Sequence, residues 1–356
     1  MERLAKIRGG LIDLGLDAVL ITDELNQRYA TGFAFTDGAV LVTLDRAFLL
    51  TDSRYIEAAQ KSVSGDITVR MFGAGKRLSQ LVREAMTECS VKMLGAEEFS
   101  LSHGAYLNWQ RVLGVELHPC QSLFYRLRAS KDEAEIRSMR RAQAIAEKAL
   151  DDVLHIIRPG ITERDIAAEI SYRMLKHGGE GNSFDPIAVT GANSSMPHGV
   201  PSDAVVREGD FITMDFGCRY DGYCSDMTRT VVLGEASSKQ KEIYGIVLKA
   251  QMAALEQICA GKTGSEVDQV ARGLIAEAGY GEYFGHGLGH SVGLFIHEEP
   301  RLSPKCHSAL QKNMTMTVEP GIYIPEFGGV RIEDLVVITE KGCRNLAHSP
   351  KELIEL

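Results

Sequence analysis

Phe211-Ile212-Thr213-Met214-Asp215-Phe216-Gly217, followed by Asp221-Gly222 and then Tyr223-Cys224-Ser225-Asp226, is the stretch whose reading decides the fold. Ile212, Met214 and Phe216 recur at the two-residue period of a strand, so Asp215 points to the opposite face. Asp221-Gly222 is a strong hairpin signal, with the return strand starting at Tyr223. With a two-residue loop, Gly217 faces Asp226 and Asp215 is its diagonal neighbour; with a four-residue loop, Asp215 faces Asp226 directly. Either register puts both carboxylates on one face, where like charges repel unless a cation lies between them.

Further polar clusters follow the hairpin. Phe284-Gly285-His286-Gly287-Leu288-Gly289-His290, with His297 seven residues on, gathers three histidines in a glycine-rich segment. Such glycines allow close backbone approach and argue against the helical H-E-x-x-H arrangement of zinc peptidases. Met314 to Val318 reads as a strand ending on Glu319 at a Pro-Gly turn. Val330 to Val337 reads as one strand carrying Arg331 and Glu333 on the same face. Taken singly, each has a bland reading as a packed histidine or an exposed ion pair of little worth. Together Asp215, Asp226, His290, Glu319 and Glu333 offer four carboxylates and one imidazole, an oxygen-rich set that balances two divalent cations in charge.

The bulk properties exclude several classes. A formal charge of −9 without any Lys/Arg run would repel a phosphate backbone, so nucleic acid is not expected as a partner. The charged opening, Met1-Glu2-Arg3-Leu4-Ala5-Lys6, is no signal-peptide core, and no apolar run approaches the ~20 residues of a membrane span. Seven scattered cysteines without a C-x-x-C pair favour reduced thiols, which predicts a cytoplasmic location.

Upstream, short β-type runs (17–22, 39–44, 47–51, 67–72, 91–96) alternate with helical patterns (2–14, 54–62, 77–88, 103–112), which predicts an α/β domain. The basic stretch Arg126 to Lys131 then gives way to a long helical pattern through Val153 that stops at Pro159-Gly160. Thr162, with Asp165 three residues on, caps a second helix. These changes predict two domains, 1–128 and 129–356.

The segments Met214 to Gly217, Tyr223 to Thr230, Pro197-His198-Gly199, His286 to His290, Val318 to Tyr323 and Gly329 to Asp334 resemble the "pita-bread" metallopeptidases. Within that group they are similar to Xaa-Pro aminopeptidases and Xaa-Pro dipeptidases. The N-terminal half, including Thr51 to Tyr55, resembles the creatinase/prolidase N-terminal domain, which methionine aminopeptidases of the same fold lack. The resemblance implies an α/β creatinase-like domain followed by an α+β pita-bread catalytic domain.

It also implies roles. Asp226 and Glu333 correspond to bridging carboxylates, Asp215 to the bidentate ligand of one metal, and His290 with Glu319 to ligands of the other. His198, His286 and His297 correspond to histidines around the reacting carbonyl, and Arg331 and Tyr323 to residues that brace the site. The expected reaction is release of an N-terminal residue ahead of a penultimate proline. A metal-bridging hydroxide would attack, with Glu319 as general base and His198 assisting the departing amine. Carboxylate-rich, sulfur-free ligation suits two manganese ions, with cobalt or zinc as substitutes. A proline-containing peptide is the expected substrate and a homodimer the expected assembly. Xaa-Pro dipeptidase is the alternative, and it requires a cation for the substrate's free carboxylate, with Arg54 and Arg331 as candidates. A creatinase-like amidinohydrolase or a non-catalytic peptide-binding module would be expected to have lost ligands that all stand here.

Overall fold

The segments Ala18–Ile21 (β1), Ala39–Thr43 (β2) and Ala47–Thr51 (β3) are buried at every position, as continuous apolar runs require when both faces of a sheet are covered. They form a six-stranded sheet with Thr68–Met71 (β4), Leu94–Ala96 (β5) and Leu117–Pro119 (β6), in the order β4-β3-β2-β1-β5-β6. The neighbours β1/β2 and β2/β3 run antiparallel and the other pairs parallel. This computed structural model describes residues 2–73 and 75–356 and divides into two units, Met1–Arg128 and Ala129–Leu356.

The helices of the first unit are α1 (Glu2–Leu14), α2 (Glu24–Thr31), α3 (Ile56–Ser62), α4 (Leu78–Glu88), α5 (His103–Leu113) and α6 (Gln121–Ala129). Two of them, α2 and α6, have no counterpart in the sequence reading. The start of α2 is fixed by Asp23, whose side chain accepts from Asn26 N, and by buried Glu97, which accepts from Thr22 N at 2.7 Å and Asp23 N at 2.9 Å. Burial pushes the Glu97 carboxyl up to about 7, with its hydrogen bonds opposing.

In the second unit two helix pairs each cover a sheet. Asp132 and Glu135 form a capping box at the start of α7 (Glu133–Leu154), and Thr162 with Asp165 does the same for α8 (Glu163–Lys176). The first of these helices ends five residues short of Pro159, where His155 turns its ring back onto the Asp151 carbonyl. Their apolar faces pack on β8 (Ile187–Thr190), β9 (Phe211–Phe216) and β12 (Met227–Val232), in a core that includes Ile145, Ile166, Met214 and Val231; the sheet order is β12-β9-β8. A smaller sheet joins β7 (Gly181–Asn182), β10 (Cys218–Tyr220) and β11 (Tyr223–Cys224).

The second helix pair, α9 (Ser238–Gln257) and α10 (Gly264–Glu277), packs on a core with Met316, Val318, Val330 and Val336. The strands here are β13 (Gly289–Ser291), β14 (Glu298–Leu302), β15 (Thr315–Val318), β16 (Gly321–Ile324), β17 (Gly328–Arg331), β18 (Asp334–Ile338) and β19 (Cys343–Asn345). Five form the sheet β14-β13-β15-β18-β19, while β16 and β17 pair separately. Each helix pair thus brings one sheet and one group of the acidic motifs to the middle of the unit.

Candidate metal centre

The hairpin takes the two-residue register. Tyr220 pairs with Tyr223 and Arg219 with Cys224, around Asp221 at φ 49° and Gly222 at φ 71°, both in the left-handed region that a type I′ turn demands. Phe216 then pairs with Met227 and Asp215 with Thr228, which leaves Asp226 at the corner between β11 and β12. Gly217 lies beside that corner, and a Cβ there would stand 1.9 Å from the Ser225 carbonyl oxygen, so only glycine lets the two strands close here.

The stretch read as a single strand from Val330 to Val337 is instead two strands in different sheets, and this corrects the sequence expectation. The break falls at Ile332-Glu333 because their backbone bonds go elsewhere. Ile332 N donates to the Pro320 carbonyl and Glu333 N to the Thr228 carbonyl, while the Arg229 guanidinium donates to the Glu333 carbonyl at 2.6 Å. Leaving the ladder carries the Glu333 side chain to Asp226 and His290. Behind this bend Arg229 also bonds Asp334 at 2.9 Å, and both side chains are at most 2% exposed. Asp334→Ala is therefore expected to destabilise the protein by about 3 kcal/mol or more, because it leaves a buried guanidinium without its counter-ion; a thermal or urea melt within 1 kcal/mol of wild type would contradict this.

Asp215, Asp226, His290, Glu319 and Glu333 all line one cavity of about 510 Å³, together with His198, His286, His297 and Arg331. One ligand atom each of Asp226, His290 and Glu333 lie within 4.8 Å of one another. His290 Nε2 is 3.5 Å from Asp226 Oδ2 and 3.4 Å from Glu319 Oε1.

The donor set fits divalent cations on three counts. First, burial lowers the His290 pKa to about 3, so the ring is neutral. Its Nδ1 lies 3.1 Å from the Ser291 carbonyl and must carry the proton that this bond needs. The Nε2 lone pair is then aimed at two carboxylate oxygens, an arrangement of acceptors that a cation between them makes favourable. Second, Asp215 Oδ1 is buried with no hydrogen-bond partner among the described residues. Third, burial raises the carboxyls of Asp226 and Glu333 well above the usual range, and their acidic neighbours add to the rise: Glu333, Asp215 and Glu319 around Asp226, Glu319 and Asp215 around Glu333. Burial likewise raises Glu319 to about 7, opposed mainly by Arg331.

Arg331 is the buried cation that organises one wall. Its Nη2 donates to Asp215 Oδ2 at 2.5 Å, its Nη1 to the Tyr323 hydroxyl at 2.8 Å and its Nε to Thr228 Oγ1 at 3.1 Å. Thr228 Oγ1 in turn donates to Glu333 Oε2 at 2.7 Å, so one guanidinium aligns two of the carboxylates. Thr317 plays a similar part for Glu319 and His290, donating to Glu319 Oε1 at 2.9 Å and accepting from His290 N at 3.0 Å.

The histidines differ in freedom. His286 is engaged at both ring nitrogens, with Nδ1 at 2.8 Å from the Gly287 carbonyl and Nε2 at 2.9 Å from the Tyr323 hydroxyl. Burial and the Arg331 charge lower its pKa to about 4, so the neutral Nδ1–H form holds and accepts the tyrosine proton. His297 packs edge-to-face on His290, ring centroids 4.6 Å apart, and burial lowers its pKa. His198 stands exposed on the cavity rim.

Tyr323, one of the two residues assigned to substrate binding, adjoins this wall through Arg331. Tyr323 is buried behind it, bonded to Arg331 and His286. Arg54 is exposed in the first unit, where it pairs with Asp52 at 2.6 Å and Asp37 at 2.9 Å. The cavity also contains an arginine that has no role in the sequence analysis, Arg301, along with Phe184, Ile187 and Ile296. The signal was present, since His297, Glu299 and Arg301 share a face at the strand period.

Such a centre supports hydrolysis, and comparison with known proteins agrees. Residues 3–130 match the "Creatinase/Prolidase N-terminal domain" and residues 137–340 match "Metallopeptidase family M24". An Xaa-Pro dipeptidase from Bacillus anthracis superposes with a TM-score of 0.96 at 42% identity, covering 100% of this chain and 99% of its own. An X-Pro aminopeptidase from Thermotoga maritima gives 0.93 at 38% identity, covering 98% and 100%. An Xaa-Pro dipeptidase from Pyrococcus horikoshii is 39% identical over 355 residues, 99% of each chain. No helix among the described residues is long and apolar enough to cross a membrane. With its carboxylate-rich centre and its match over both domains, the chain belongs to metallopeptidase family M24 and is a metal-dependent hydrolase.

Proposed function

We propose that this protein is a manganese-dependent Xaa-Pro aminopeptidase that releases the residue ahead of a penultimate proline. The observation that carries this reading is the cavity over the carboxylates, where Phe184, Ile187 and Ile296 offer an apolar wall to a proline ring beside His198 and His297. Asp215, Asp226, His290, Glu319 and Glu333 would hold the metals. When bound, a pair of divalent ions acidifies a water and polarises the scissile carbonyl.

The chain's own groups supply the remaining steps. Glu319 takes a proton from the attacking water as general base. His297 donates to the carbonyl oxygen as charge develops there. His198, free to reach the substrate from the rim, protonates the proline nitrogen, a secondary amine that cannot depart as an anion. His286 acts through Tyr323 and Arg331 as a brace.

Arg301 favours a second reading. Its side chain is 39% exposed, lies 3.4 Å from Glu299 and lines the cavity, where it can meet the free carboxylate of a dipeptide. The discriminating assay gives the manganese-loaded protein Ala-Pro, Ala-Pro-Ala and Ala-Ala-Ala. Turnover of Ala-Pro-Ala supports the aminopeptidase, turnover of Ala-Pro alone replaces it with the dipeptidase, and turnover of neither overturns both. If Ala-Pro is cleaved, Arg301→Gln is expected to raise its KM about 10-fold or more with less effect on the tripeptide, from loss of a charge-assisted bond worth about 1.5–3 kcal/mol. Equal effects on both peptides would remove Arg301 from carboxylate reading.

A cytosolic location is supported by the seven cysteines, all free. A homodimer rests on the sequence resemblance.

A further inference from the structure

Lys131 and Glu298 are charged, buried and outside the set of metal ligands. Their side chains are 1% and 6% exposed, with Lys131 Nζ 3.1 Å from Glu298 Oε2. The ammonium also donates to Ser291 Oγ and to the Ala129 carbonyl, each at 3.2 Å. Desolvating such a pair costs about as much as its attraction returns, so stability alone is a weak reason to keep it over an apolar pair.

Its location supplies another reason. Ser291 follows His290, Glu298 follows His297, and the two pair across β13 and β14 next to a register shift at His290/Ser291. The segment from Val292 to His297 is therefore a loop whose two ends are both held by Lys131. Inside it the Glu298 carboxylate accepts from Phe295 N at 3.2 Å. Gly293 lies against the same carboxylate, since a Cβ there would stand 2.5 Å from Glu298 Oε2. The loop is tied in turn to the strand before Asp226, because Cys224 N donates to the Gly293 carbonyl at 2.8 Å.

We propose that Glu298, charged and held by Lys131, is a positioning residue that fixes the Val292–His297 loop and so sets the place of the His297 ring over the reacting carbonyl. An apolar pair of equal volume would fill the space but would not direct the Phe295 N–H. This rests on the role given above to His297. A ring displaced by about 1 Å costs on the order of 10- to 100-fold in rate.

The test combines rates with a readout independent of turnover. In manganese-loaded protein, Glu298→Gln is expected to lower kcat for the proline peptide at least about 10-fold with metal content unchanged. The pair Lys131→Met/Glu298→Met is expected to regain thermal stability while kcat stays low, a split that a merely structural ion pair would not give. In a His297→Ala background, Glu298→Gln is expected to change kcat less than about 2-fold, because the residue it positions is gone. A double methionine variant with wild-type kcat, or an undiminished Glu298→Gln effect without His297, would overturn the proposal. Histidine ring NMR of the metal-free protein reads the same device without substrate: Glu298→Gln should shift or broaden His297 and leave His177 in place. An unmoved His297 signal overturns it even if the peptidase reading itself fails.

Discussion

Asp226→Asn is expected to lower kcat/KM by about three orders of magnitude, roughly 4 kcal/mol of transition-state stabilisation, and to reduce the bound metal well below that of wild type. The substitution keeps the shape of a side chain that is 3% exposed, so packing is not the cause. It removes one of the two carboxylates in the group that Asp226 forms with His290 and Glu333. The fold should survive. In the metal-free protein Asp226 is desolvated and faces the charges of Glu333, Asp215 and Glu319, so its neutral replacement should melt at the same temperature or higher. Metal analysis, turnover and a melt of the stripped protein check the three parts separately. Full metal content with wild-type turnover would refute the role given to this residue.

The second large effect is the pH dependence of stability after metal removal. Glu319 is raised from its ordinary 4.5 to about 7, and Asp226 and Glu333 are also raised well above their usual values. For an acid with a raised folded-state pKa, stability is fully present below the unfolded pKa and is lost as pH rises through the folded one, because the unfolded chain has already released its proton. His286 and His290 act in the opposite sense, since their pKa values fall from 6.5 to about 4 and about 3 and they destabilise the fold as pH drops below 6.5. Above pH 6.5 the histidines become neutral in both states, and the slope comes from these carboxyls together with Glu97, which burial also raises to about 7. Stripped protein should therefore melt at falling temperature as pH rises from about 6.5 through 7, where Glu319 gives up its proton, losing up to about 1.4 kcal/mol per pH unit for each carboxyl that still holds its proton. Added manganese should raise the melting temperature by an increment that grows over the same interval. A metal-free melting temperature flat over this range would mean that the carboxylates ionise together without a cation, contrary to the burial and like-charge crowding described here.

Much of this architecture is legible in the chain because it rests on local signals. The alternation of Ile212, Met214 and Phe216 and the Asp221-Gly222 turn are sufficient to place Asp215 and Asp226 on one face, and the structure selects the two-residue register. The apolar runs of the first sheet and the Thr162 capping box are read directly as well. What escapes is decided by partners distant in sequence. The strand break at Glu333 is set by Thr228, Pro320 and Arg229, none of them local. The early end of α7 depends on a histidine folding back, and helix α2 on Glu97 more than seventy residues away. Among the arginines, motif proximity points to Arg331, which is buried and committed to Asp215, Tyr323 and Thr228. Arg301 is reached only by continuing the strand period beyond His297.

The most direct test of the central claim is anomalous diffraction at the manganese edge from crystals grown with manganese. Two manganese peaks are expected within the group of Asp215, Asp226, His290, Glu319 and Glu333, and none near Arg54 or the cysteines. A single site, or manganese bound away from these five side chains, would contradict it.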